Sequence, residues 1–215
     1  MSLLADTREL IESQASCHDA VIVALDGKDS MVVLDLCKPA FKRVEAFTMV
    51  YAFGMDRFKR KAEFVRNRWG VELKEVEHFG VVDHLNRGYW CLPKATPGPR
   101  RMREAYEQQK QEYGIPLIAT GSRMSESLGR RQCIERGTWP GWHPIAQWKK
   151  ADVLRYMEVN SIPLPDKSAD MQGVSLHRDC ILDMYDNSRG DYELLRKRFP
   201  LVEALIRQKE WYGIQ

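Results

Sequence analysis

Paired cysteines are missing from this chain. Its five (Cys17, Cys37, Cys91, Cys133 and Cys180) are odd in number and widely spaced. No C-x-x-C occurs, which excludes a zinc ribbon or a thioredoxin-like redox pair. No apolar run reaches the length that crosses a bilayer. A strong charge bias is missing too: 33 Lys and Arg stand against 30 Asp and Glu, a net +3, too little to argue for nucleic-acid binding. The first residues, MSLLADTRELIESQAS, are charged and have no long apolar core, so no signal peptide is expected. The expectation is a cytoplasmic protein with reduced thiols. What is present is a globular composition, 44% hydrophobic and 29% charged over 215 residues. A chain of this size buries about 70% of its unfolded surface and needs no disulfide staple.

The apolar pattern alternates between two kinds of element. Asp6–Ser16 has amphipathic helical spacing. Ala20–Leu25 is a β-branched run of the kind buried on both faces of a parallel sheet. It stops at Asp26-Gly27-Lys28-Asp29-Ser30, and a second apolar run, Met31–Cys37, follows directly. Two parallel strands cannot be joined by so short a turn, so the second run reads as a helix. Arg43–Phe53 predicts a second strand, Asp56–Trp69 a helix stopped by Gly70, and Val71–Val76 a third strand. Asn86–Pro99, with three prolines and two glycines, predicts a loop. Arg100–Tyr113 predicts a helix closed by Gly114, Ile115–Thr120 a fourth strand, and Trp142–Trp148 a fifth. Helices follow from Lys149, with breaks at Ser161–Pro165, near Gly190 and at Pro200. This is an α/β pattern: a Rossmann-like parallel sheet of about five strands flanked by helices. Residues 1–165 are expected to form the sheet domain and 166–215 a helical extension packed on it.

Open parallel sheets bind ligands at the carboxyl ends of their strands. The turn after the first strand is therefore the first candidate. Gly27 allows close backbone approach, the helix start after it offers free N–H groups, and Lys28 and Ser30 add a charge and a hydroxyl. The set suits a phosphate, although the Walker A spacing is not met. The plain alternative is an ordinary turn in which Asp26 or Ser30 caps the helix.

Gly27-Lys28-Asp29-Ser30 after a buried strand resembles the PP-loop, S-G-G-x-D-S, of the ATP pyrophosphatase and PAPS reductase superfamily. Gly121-Ser122-Arg123-Met124-Ser125-Glu126-Ser127-Leu128-Gly129-Arg130-Arg131 is similar to the G-x-R-x-x-E-S-x-x-R segment of the PAPS reductase family. A third block, Pro144–Tyr156 followed by Ile162–Pro165, resembles that family's P-L-x-x-W-x-x-x-D-V-x-x-Y stretch. The three stand in family order. Two departures are visible. Leu25 and Asp26 replace the first Ser and Gly of the loop, and a carboxylate at 26 repels phosphate unless it holds a metal or faces away. The family's catalytic cysteine lies in an E-C-G-L-H tail, whereas Trp211–Gln215 holds no cysteine. The paired cysteines of the iron–sulfur type are absent as well, so no iron–sulfur cluster is expected.

The resemblance implies an enzyme that binds ATP or a PAPS-like adenine nucleotide and cleaves or transfers at the α-phosphate. Lys28, Asp29 and Arg123 are the expected catalytic residues. Asp26, Gly27, Lys28, Asp29, Ser30, Thr48, Gly121, Arg123 and Arg130 are the expected nucleotide-binding set, and Asp29 (or Asp26) is the expected ligand of a Mg²⁺ ion. Arg123, Arg130 and Arg131 form a possible oxyanion fork, and Glu126 and Arg130 stand at pairing distance if helical. For Arg131 and Arg136 a solvated helix face is the better reading. Thr48 serves equally as a strand former. Trp148 and Val153 read as core, Asp152 as a helix cap, and His143 as structural. His177 and Cys180 are too few for a metal site; Cys180 as a redox nucleophile, helped by Arg178, is the minor reading. Lys59-Arg60-Lys61 and Arg100-Arg101-Met102-Arg103 could touch nucleic acid, although charge runs on helices are usually solvated faces; Glu63, Glu104 and Glu107 dilute them. The rival to an enzyme is a catalytically inactive module that binds a nucleotide or recruits a protein partner. The acceptor substrate is not readable.

Overall fold

A computed structural model describes residues 2–164 and 176–213. Four parallel strands make one sheet: β1 (Ala20–Ala24), β2 (Arg43–Val50), β3 (Leu73–Glu77) and β4 (Ile118–Thr120), in the order β3-β2-β1-β4. Among the described residues, ten α-helices flank it. α1 (Leu3–Cys17) precedes the sheet, α2 (Lys28–Cys37) follows β1, and α3 (Asp56–Trp69) follows β2. Two helices, α4 (Gly80–Arg87) and α5 (Met102–Tyr113), lie between β3 and β4. After β4 come α6 (Leu128–Glu135), α7 (Lys150–Val159), α8 (Arg178–Asn187), α9 (Arg189–Arg198) and α10 (Glu203–Tyr212).

The strand alternation sorts the core into layers. Val21, Val23 and Leu25, with Val44 and Ala46, face α1, α2, α3 and α7. Ile22 and Ala24, with Phe47 and Met49, face α5, where Ala105 and Tyr106 cover them. A separate apolar cluster forms where α8, α9 and α10 meet Val50, Phe58 and Val81; Ile181, Tyr192, Leu195 and Phe199 are its buried anchors. The C-terminal helices thus pack on the end of β2 and on α3 and α4. The expected boundary at 165/166, and Pro165 in the third block, lie outside the described residues.

Helix stops fall where glycine was expected to place them. Gly70 and Gly114 take left-handed backbone after α3 and α5, a conformation that carries no Cβ penalty at glycine. Details differ elsewhere. The fifth strand is reduced to a single parallel bridge between Ala119 and Trp142, because Pro144 follows at once and cannot donate to a ladder. The stretch before the proline-rich loop forms α4, closed by Gly88 in left-handed backbone. The break expected near Gly190 falls at Ser188, and Gly190 sits inside the first turn of α9. Among the described residues, no helix is long and apolar enough to cross a membrane.

Candidate functional site

The strand order fixes where a ligand can enter. β2 and β3 are laid down on one side of β1, and the chain then returns to place β4 on the other. The switch point therefore lies between the carboxyl ends of β1 and β4, the position at which open α/β sheets hold ligands. A cleft of about 610 Å³ opens there. Asp26, Gly27, Lys28, Asp29 and Ser30 form one wall; Thr120, Gly121, Ser122, Glu126 and Arg130 form the other. Tyr106 and Trp139 complete its sides, and Lys150 enters from the start of α7.

The loop at the end of β1 is tied to itself. The Gly27 N–H donates to Ser30 Oγ at 3.0 Å, and the same hydroxyl donates to the Gly27 carbonyl at 2.7 Å. Ser30 is buried and serves as the internal cap of α2, the alternative its sequence position allowed. The first turn of α2 keeps N–H groups without intrahelical acceptors, as every helix start does. Here the residues of that turn, Lys28, Asp29 and Ser30, line the cleft. Gly121 explains how the second block reaches this loop. A Cβ built there would lie 2.4 Å from the Ser30 nitrogen and 2.6 Å from the Asp29 carbonyl carbon. Only a residue without a side chain lets the β4 exit press against the backbone of α2.

Charge is arranged in pairs around the cleft. Asp29 lies 3.2 Å from Lys28 Nζ and 2.9 Å from Arg123 Nε. Glu126 pairs with Arg130 and lies 3.5 Å from Arg123 Nη2. The i,i+4 pair expected of Glu126 and Arg130 is therefore made. The Arg130 guanidinium sits 4.8 Å from the centre of the Trp139 ring, within cation–π range. Arg123 is buried and stands behind the wall, with Nη1 donating to Ser125 Oγ at 3.1 Å. Arg123 and Lys28 both pair with one carboxylate, Asp29. Among the described residues, no group of three His, Cys, Asp or Glu is placed to hold a metal ion.

Two expectations are corrected. Thr48 is fully buried and points to α3 rather than the cleft, accepting a hydrogen bond from Lys61 at 3.2 Å. Its parity with Val44 and Ala46, on the α3 face of β2, was the signal for this. Lys61 does not belong to a nucleic-acid surface. It is buried beneath the loop, with Nζ donating to the carbonyls of Leu25 at 2.5 Å and Asp26 at 3.3 Å. Burial pushes its pKa down to about 8, against the raising pull of Asp26. Asp26 opens on the cleft, but surrounding protein strips its carboxylate of water and raises its pKa, with Lys61 opposing. Sequence reasoning missed Lys61 altogether, because a charge run conceals which of its members points inward.

The remaining candidates lie elsewhere. Arg131 and Arg136 are exposed, as are Arg100, Arg101 and Arg103. His143 bonds Thr120 Oγ1 at 2.8 Å and is structural, its pKa lowered by burial. Trp148 is core and donates to Thr7 at 2.8 Å; Val153 is fully buried. Asp152 accepts from the Lys149 N–H and caps α7. Cys180 is half-buried on α8, and His177 immediately precedes that helix. None of the five cysteines lines the cleft.

No protein-family model matches the chain, and no curated protein sequence matches it. Solved structures do. The NH3-dependent NAD synthetase from Campylobacter jejuni, in complex with the nitrate ion, aligns with a TM-score of 0.55 at 18% identity, covering 100% of this chain and 97% of that one. The U34-tRNA thiolase NcsA from Methanococcus maripaludis, with its [4Fe-4S] cluster, aligns at 0.52 and 15% identity over 99% of this chain and 81% of that one. The glutamine-dependent NAD+ synthetase from Acinetobacter baumannii, in complex with adenosine diphosphate, gives 0.53 and 21% over 98% of this chain and 44% of the other. What these likenesses establish is the fold, a parallel α/β sheet flanked by helices, as the sequence led one to expect.

Proposed function

We propose that the chain is an adenine-nucleotide-binding enzyme related to the PAPS reductase family, working at the α-phosphate of ATP. The observation that carries this reading is the convergence of the Gly27–Ser30 loop and the Gly121–Arg130 block on one cleft at the switch point of the sheet. Lys28 and the first turn of α2 would receive phosphate oxygens, the arrangement by which helix starts hold anions. Arg123 acts as a positioning residue, orienting Asp29 and through it Lys28. An acceptor would attack the α-phosphorus while the bond to the β-phosphate breaks and pyrophosphate leaves; the protein's contribution is placement and charge stabilisation. The structure captured with adenosine diphosphate on this fold supports the nucleotide part of the reading.

Sulfonucleotide reduction needs a thiol that reaches the ligand, and no cysteine lines the cleft. ATP therefore suits the site better than a sulfonucleotide. Mg²⁺ would arrive bound to the phosphates, since Asp29 is already neutralised by two cations. The test is calorimetry with ATP, followed by assay of pyrophosphate release with Mg²⁺ and candidate acceptors. Binding with turnover is expected. Binding without turnover under every acceptor would favour the inactive module, and no binding would remove the nucleotide reading.

A further inference from the structure

Three carboxylates line the cleft: Asp26, Asp29 and Glu126. Asp29 is held by Lys28 and Arg123, and Glu126 by Arg123 and Arg130. Asp26 differs. Its carboxylate makes no ion pair, and its residue is open to the cleft. The cation that answers it stands on the far side of the loop: Lys61 binds the backbone carbonyls of Leu25 and Asp26 and the Thr48 hydroxyl. Loop, β1 end and β2 are thus fastened by one buried ammonium, which holds Asp26 at the cleft floor without covering its carboxylate.

We propose that Asp26 is a specificity-determining residue: a fixed negative charge on the cleft floor, held by Lys61, that accepts an uncharged or cationic hydrogen-bond donor of the ligand and turns anionic groups toward the start of α2. The inference rests on the nucleotide reading and deepens it. Phosphates go to Lys28, and the group over Asp26 is an amine, an ammonium or a hydroxyl, which is the chemistry of an acceptor. The groups facing Asp26 are consistent with this. Lys61 faces it from α3, and Tyr106 faces it from α5, its phenol pushed up by burial and by the Asp26 charge. From α2 come Lys28 and Asp29, already paired with each other.

The experiment compares wild type with Asp26→Asn, which keeps shape and removes charge. The probes are inorganic pyrophosphate and adenosine, measured by calorimetry near pH 8. Pyrophosphate should bind the variant about ten-fold more tightly, because a like charge is removed, while adenosine stays within about two-fold. Equal pyrophosphate affinities with adenosine still bound overturn the proposal. If neither probe binds either protein, the nucleotide reading falls, and the charge itself is decided by urea midpoints. The folded pKa of Asp26 lies above its unfolded value, so wild type keeps this stabilisation in acid and loses it as pH rises through the folded value. The Asn variant has no such loss. Its midpoint should gain on wild type as the pH rises above about 4; a constant difference would mean that Lys61 and the loop do not hold the Asp26 carboxylate against the protein, which overturns the proposal.

Discussion

Asp191–Arg57 and Asp29–Arg123 are the same chemical pair in two settings. Asp191, on α9, accepts from the Asp56 N–H at 2.6 Å, from the Arg57 N–H at 3.4 Å and from Arg57 Nε at 3.1 Å. It is 2% exposed and caps α3 from outside that helix. One acid there meets one side-chain cation and a helix start, and the site is closed. Asp29 is 15% exposed at its side chain and meets two side-chain cations, one of which lines the cleft. Arg123 is shared with Glu126, and Lys28 is the member of the set that lines the opening. The closed pair holds elements together; the open set presents Lys28 to a ligand. Pairing alone does not separate structure from site, whereas the presence of a cleft does.

The comparison can be broken at its closed end first. Asp191→Ala leaves Arg57 as a buried charge without this carboxylate and strips the cap from α3, a loss of about 3–5 kcal/mol. Urea denaturation measures it, and a loss below about 1 kcal/mol would show that the pair is not structural. Next comes the contact without a side chain. Gly121→Ala forces the β4 exit away from α2 and should cost about 1–3 kcal/mol of stability. It should also displace the Lys28 turn, so ATP affinity should fall in protein that is still folded; unchanged affinity would sink the idea that this approach shapes the site.

At the open end, Lys28→Ala should weaken ATP binding about ten- to a hundred-fold, the worth of one charged hydrogen bond of about 1.5–3 kcal/mol, with little change in urea midpoint. Arg123→Ala should weaken it less, because Arg123 stands behind the wall. The double variant should depart from the sum of the singles, because both cations share Asp29. Strict additivity would mean that Arg123 serves packing alone. The smallest effect belongs to Cys180→Ser, which should leave ATP affinity within about two-fold, as for other substitutions remote from a site. Loss of thioredoxin-dependent sulfite release from a sulfonucleotide in this variant would instead restore the reductase reading.

Local chemistry made part of this legible beforehand. β1, the Gly27 turn and α2 follow from one β-branched run, one glycine and a second apolar run too close to pair with the first. The helix stops at Gly70 and Gly114 read directly from their residues. The partners of Lys61 did not, because its acceptors, Leu25, Asp26 and Thr48, are distant in sequence and two of them are backbone carbonyls. Asp191 was invisible for the same reason: it caps a helix 135 residues away. α4 was hidden by its shortness, with Val81 and Val82 as its buried apolar pair. The fifth strand expected at Trp142–Trp148 was overread: Trp142 is half-buried and Ile145 fully buried without continuing the ladder.

α3 is fastened at two places that lie close together along its axis. Asp191 fixes its first two residues, and Lys61, four residues beyond Arg57, fixes the Gly27 loop. At 1.5 Å per residue those points are about 6 Å apart, roughly one turn. The helix is therefore a short strut between the C-terminal layer and the cleft floor. Transient opening of α9 would free the strut at one end and slacken the loop at the other, so the backbone amides of Gly27–Met31 should exchange with solvent at the rate set by α9 rather than at that of the sheet.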